Sequence, residues 1–219
     1  MLHSRQKGCI FVHIQKTGGE TVAHLLERQI PDLERIAAKH ERMRNMLPTI
    51  RDFDPCFSFC FVRNPWDRLV SWHSMIMGAL KIRRRDTRND WRKRAQYGQA
   101  RSNPLWLYVY EEGRTFSDFI RRCTKEIEVR PGVRYSFAYN QLDYVTDERG
   151  EVLVNRIGRQ ERLSSDLMEI FERLGLPAVN VPVKNPSRHR NYREYYSDEN
   201  RRLVAERFAR DIEFFDYEF

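Results

Sequence analysis

Residues 10–21 constrain the fold most: Ile10-Phe11-Val12-His13-Ile14-Gln15-Lys16-Thr17-Gly18-Gly19-Glu20-Thr21. The run from Cys9 to Ile14 is rich in β-branched and aromatic residues, whereas Val22, Leu25, Leu26 and Ile30 recur at helical spacing. The period changes across the glycine pair, which predicts a strand, a tight turn and a helix. Such a turn aims the unpaired amides of a helix start at one spot, and glycines let a ligand's oxygens approach the main chain. It reads as a phosphate cradle with Lys16 as its mobile charge. The nucleotide P-loop runs G-x-x-x-x-G-K-[ST], and here the lysine precedes the glycines, so an ordinary ATPase or GTPase is disfavoured. A Gly-Gly after a strand is also a common plain turn, and a second motif is needed to decide.

That motif follows Cys56–Val62, an almost wholly apolar run of the kind that forms a central parallel strand buried on both faces. The run ends in Arg63-Asn64-Pro65-Trp66-Asp67-Arg68-Leu69-Val70-Ser71. Asn64 suits an N-cap, Pro65 the first helical position and Asp67 the first turn, so a helix start is strongly specified. Trp66, Leu69, Val70, His73, Met77 and Leu80 share one face of that helix.

A chain of 219 residues has room for a single α/β domain with a central, mostly parallel sheet flanked by helices. Its 39 basic residues outnumber 31 acidic ones for a net charge of +8, which favours an anionic partner over a cationic one. Most of the excess lies in 81–94, where eight basic residues face two acidic ones. Such a run is expected to be a mobile surface segment, and mobility is compatible with polyanion binding. Cys9, Cys56, Cys60 and Cys123 have no metal-type spacing, and buried reduced thiols are expected, with no metal. No charged start leads into a long apolar run, so the expectation is a soluble, cytoplasmic protein with no signal peptide, anchor or stable membrane insertion.

Elsewhere the first helix is expected to stop near Pro31, a short strand to follow at 32–36, and a second helix to span Ala37–Leu47 with His40 near its start and Pro48 ending it. Residues 104–127 read as helical, 144–154 as strand, glycine turn and strand, and Ser164–Leu174 as a helix closed by Gly175. Val179–Arg190, with Pro182 and Asn185-Pro186, reads as a loop. Ser197 then caps a last helix bearing Leu203, Val204, Phe208 and Ile212, and the aromatic end 214–219 is expected to dock into the core.

With Lys16-Thr17-Gly18-Gly19 and Arg63 through Ser71 both present, the chain resembles the carbohydrate sulfotransferases that use 3′-phosphoadenosine 5′-phosphosulfate (PAPS). This is the Golgi-type and bacterial family 2, related to heparan sulfate 2-O- and chondroitin sulfotransferases. The resemblance continues in Gln141, in Ile157-Gly158-Arg159-Gln160-Glu161-Arg162-Leu163, and from Asn185-Pro186-Ser187 to Asp211-Ile212-Glu213, so it covers nearly the whole chain. It implies a P-loop NTPase-like sulfotransferase fold, PAPS as donor and the 3′,5′-bisphosphate PAP as product.

On the matching positions the resemblance implies that Lys16, Thr17, Gly18, Gly19 and Thr21 cradle the 5′-phosphosulfate and that Arg63 and Ser71 hold the 3′-phosphate. Ser187 and Arg188 match a cofactor lid. His40 matches the base on the acceptor hydroxyl, with His13, His24 and Glu20 as alternatives, while His73 reads as core. The family usually has proline where Gln15 stands and Ser or Thr where Glu20 stands, and a carboxylate there would repel a phosphate unless turned away. The acceptor is expected to be an anionic carbohydrate gripped by Arg83, Arg84, Arg85 and Trp91 through charge and stacking, and not a nucleic acid. The competing readings are a P-loop kinase of a small metabolite and a non-catalytic basic polyanion-binding module.

Overall fold

The computed structural model describes residues 1–51, 53, 56–82, 84–130, 133–181 and 190–219, with backbone only at 86, 91, 92, 127–130 and 133–136. In chain order the elements are β1 (Leu2–Ser4), β2 (Cys9–Val12), α1 (Gly19–Gln29), β3 (Glu34–Arg35), α2 (Met43–Ile50), β4 (Phe57–Val62), α3 (Pro65–Leu80), α4 (Trp91–Ser102), α5 (Pro104–Glu112), α6 (Phe116–Asp118), β5 (Glu126–Arg130), β6 (Val133–Ser136), β7 (Arg156–Arg159), α7 (Leu163–Arg173), α8 (Asp198–Arg207) and α9 (Ala209–Phe215). They fall into two compact units, Met1–Arg63 with Asn140–Pro186 and Asn64–Tyr139 with Ser187–Phe219. Neither is a continuous stretch of sequence, so no linker composition marks them.

The first unit holds a five-stranded sheet in the order β3-β1-β2-β4-β7. Strands β2, β4 and β7 run parallel, whereas β1 pairs antiparallel with both β2 and β3. The sheet is therefore mixed rather than mostly parallel, because residues 5–8 form a tight connection that only an antiparallel neighbour can use. The apolar runs read as strands are buried along β2 and nearly so along β4. Phe11, Phe59 and Phe61 pack with Val22, Leu25 and Leu26 of α1 and Leu167, Ile170 and Phe171 of α7. Each such side chain contributes about 1.5–3 kcal/mol by leaving water. Gly175 closes α7 at a φ of 59°, as its place after the last apolar residue predicts.

The second unit is organised by α3. Asn64 accepts from the amides of Trp66 at 3.0 Å and Asp67 at 3.5 Å, with Pro65 first in the helix, as the sequence predicts. Trp66, Leu69, Val70, Trp72 and Ile76 then join Trp106, Phe119, Val204 and Phe208 in one apolar cluster. At the end of the chain Phe215 and Tyr217 are buried as expected, but Phe214 is exposed.

Several local expectations are corrected. The second helix begins at Met43, not Ala37, since Ile36 N–H is tied to the Met1 carbonyl at 3.3 Å and Glu41 accepts from Arg42 N–H at 3.1 Å just ahead of the helix. Pro48 lies inside that helix, which continues because the Arg51 amide still reaches the Leu47 carbonyl at 3.1 Å. Beyond α6 a π-helical turn ends at Cys123, short of the helix end expected near Ile127, and β5 of the β5–β6 hairpin has already begun at Glu126. Between 144 and 154 only an isolated bridge, Thr146 to Val152, forms. The last helix divides into α8 and α9 at Phe208.

Candidate active site

The site is assembled where β2 gives way to α1. Lys16 has a φ of 68° and Gly18 a φ of 84°, so two of four turn residues are left-handed. Glycine adopts this region at little cost, while a lysine is held there against a penalty of about 1 kcal/mol or more. The turn is pinned from within by the Thr17 hydroxyl, which donates to the Ile14 carbonyl at 3.0 Å, and from just past β4 by Arg63, whose Nη1 donates to the Lys16 carbonyl at 3.3 Å. The Gly18 carbonyl accepts from Thr21 N–H at 2.9 Å and Val22 N–H at 3.3 Å, which starts α1 without a side-chain cap. The helix's first amides lack intrahelical acceptors and carry the positive end of the peptide dipoles.

Two cations meet at this turn. Burial, with Arg63 adding to it, lowers the Lys16 ammonium from 10.5 to about 8, and Glu20 opposes the shift. An anion in the cradle would relieve this crowding of positive charge. Glu20 does not spoil the field, because its exposed carboxylate is paired with the ammonium of Lys39.

Arg63 is fixed by a residue distant in sequence. The Gln141 side chain accepts from the Arg63 amide at 2.8 Å and donates to the Arg63 carbonyl at 2.8 Å, continuing the strand ladder with a side-chain amide. Gln141 is fully buried. Gln141→Leu would leave both main-chain groups without these bonds, and we expect it to cost about 2–4 kcal/mol. A lower urea midpoint at unchanged m-value checks this, and an unchanged midpoint would dismiss the clamp.

His40 sits on the turn ahead of α2, not on a helix. Its Nδ1 lies 2.8 Å from the His13 carbonyl oxygen, and since a carbonyl only accepts, Nδ1 carries the hydrogen and Nε2 the lone pair. Burial holds the imidazole below its ordinary 6.5, with Lys39 adding to this and the bond to His13 and Glu20 opposing it. His40 is therefore neutral at pH 7, with a basic nitrogen to offer. Its ring meets that of His13 edge to face, with centroids 4.8 Å apart.

A lysine and an arginine at a capless helix start, with a neutral histidine held on the segment that leads into it, suit transfer of an anionic group to a nucleophile that must lose a proton. A family model described as the sulfotransferase family matches residues 1–218. The chain belongs to the sulfotransferase family. Its activity is accordingly sulfuryl transfer in the general sense, and it is a transferase. No curated protein and no solved structure matches this sulfotransferase.

The other candidate residues of the sulfotransferase are spread more widely. Ser71 is a buried residue of α3 in the second unit. Arg84 and Arg85 are exposed on a 3-10 turn over Arg84–Thr87, and Trp91 begins α4. Arg83, Ser187 and Arg188 lie outside the described residues. Of the remaining histidines, His24 is half-buried on α1, and His73 is held by the Gly113 carbonyl at 3.1 Å and packs on Phe116 and Phe119, as a core histidine would. Among the described residues no group of three His, Cys, Asp or Glu side chains could hold a metal, and no helix is long and apolar enough to cross a membrane. The sequence carries no sign of the part Gln141 plays, nor of why the second glycine of the pair is Gly19.

Proposed function

We propose that this sulfotransferase moves a sulfuryl group from PAPS to a hydroxyl of an anionic carbohydrate, by in-line displacement. The observation that carries this reading is the meeting of Lys16, Arg63 and the start of α1, with His40 held on the carbonyl of His13 in the same strand-to-helix segment and its Nδ1–H thereby committed. The parallel order of β2, β4 and β7 with α1 following β2 supports a P-loop-like frame.

The fit to a phosphorylated donor is good: positive charge lines the turn, Gly18 supplies the left-handed step, and the carboxylate of Glu20 is occupied by Lys39. When bound, PAPS supplies the sulfuryl group, and cleavage of its S–O bond leaves negative charge on a phosphate oxygen. Lys16 neutralises that charge, helped by the amides after Gly18, with Thr17 and Thr21 beside them. Arg63 holds the 3′-phosphate as a fork. Ser71, a buried residue of α3, takes the part the resemblance implies. His40 Nε2 takes the acceptor's proton. Arg84 and Arg85, both exposed, draw in an anionic glycan and set its KM.

Calorimetric titration with PAP, ADP and AMP on the wild type and on Arg63→Ala tests the donor. Charge-assisted bonds to a 3′-phosphate are worth about 1.5–3 kcal/mol, so PAP should bind roughly 10- to 100-fold more tightly than ADP, and Arg63→Ala should erase the difference. Equal binding of PAP and ADP would favour a nucleoside-triphosphate kinase. Absence of nucleotide binding by the folded protein would favour a basic polyanion-binding module.

A further inference from the structure

His13 directly follows β2 in the cradle motif and is not a member of the donor site proposed above. Its imidazole is 5% exposed, stacks on Phe11 at 5.6 Å and meets His40 edge to face at 4.8 Å. The third wall of its slot is Gly19, where an added Cβ would overlap the imidazole ring itself. The second glycine of the pair therefore clears space for a side chain of this protein. Gly18 is the glycine that the backbone conformation requires.

The same residue supplies, through its carbonyl, the acceptor that fixes the tautomer of His40. One residue thus holds His40 twice, by its main chain and by its ring. We propose that His13 is the positioning residue of the active site, whose ring, seated against Gly19, keeps His40 in the single orientation and tautomer that leaves Nε2 unprotonated. This rests on the reading of His40 as base for its catalytic consequence but not for the geometry itself. Burial keeps the His13 imidazole neutral, down to about 2, so it acts by shape and not by charge. The charged groups facing the pair are Lys39, Glu20, Arg35 and the amino group of Met1, and none of them is altered by substitutions at 13.

The test is an imidazole titration by NMR on the wild type, His13→Ala and His13→Phe. In His13→Ala the His40 midpoint should rise toward 6.5, and both tautomers should be populated. His13→Phe keeps a flat ring in the slot and should retain the wild-type tautomer and midpoint. Where sulfuryl transfer is assayed, His13→Ala should lower kcat by about tenfold to a hundredfold with little change in donor KM. Should His13→Ala fail to fold, Gly19→Ala, which drives a methyl group into the ring, should shift the His40 signals in the same direction.

Wild-type His40 signals in His13→Ala, or in a folded Gly19→Ala, would overturn the proposal, as would a His13→Phe that behaves like the alanine variant. The titration needs no turnover. Altered His40 signals alongside full activity of His40→Ala would keep the positioning role and remove only the base assignment, whereas unaltered signals alongside an inactive His40→Ala would do the reverse.

Discussion

Lys16→Ala should lose about two to three orders of magnitude in kcat while remaining folded, because the residue's charge is directed at the leaving group and not at the protein. The ammonium is crowded by burial and by Arg63, and its folded-state value of about 8 lies below the ordinary 10.5. The folded protein thus holds this proton less tightly than the unfolded chain does. Its charge costs stability below about pH 8, and the cost is relieved as pH rises from about 8 to 10.5.

Function has the opposite dependence. An anion needs the cation, so PAP affinity of the unliganded enzyme should fall as pH rises through about 8. Lys16→Arg keeps its charge throughout that range and should flatten the profile. Calorimetry between neutral and alkaline pH checks both statements. A wild-type affinity that does not change would remove Lys16 from the phosphate.

His40→Ala should cost about 10²- to 10⁴-fold in kcat, leave PAP affinity unchanged, and recover part of its rate when imidazole is added. Because burial holds the wild-type imidazole below 6.5, the rate should be level at neutral pH and fall only on the acid side. Stability should follow the same direction, weakening as pH drops through 6.5 toward the lower folded value, since the unfolded chain then binds the additional proton more readily. Full activity of His40→Ala would pass the base role to another group. Glu20, already paired with Lys39, is poorly placed to take it.

Much of this was legible in the chain because it is encoded locally. The strand into α1 and the capped start of α3 each rest on adjacent residues: Ile10 to Val12 before Gly18, and Asn64-Pro65 before Trp66. What escaped depends on contacts between distant segments. Ala37 to Arg42 has helical composition, yet the tie from Ile36 to Met1 holds the chain extended just ahead of it, so His40 rides on a turn. The alternation Glu126-Ile127-Glu128-Val129-Arg130 was a visible signal of β5, outweighed by the helix-capping Thr115 upstream. Gln141's grip on Arg63 spans 78 residues and has no local signature. The space that Gly19 leaves for His13 likewise exists only once strand and helix have been packed.

The left-handed backbone at Lys16 has a practical corollary for anyone engineering this protein. A survey for thermostabilising substitutions would rank glycine first at that position, since it alone removes the conformational penalty without touching the core. The same change would delete the ammonium from the cradle. Screens for robustness and screens for turnover should therefore select opposite residues at position 16, and a library varied there would separate into hardy, idle clones and working ones with less margin against heat.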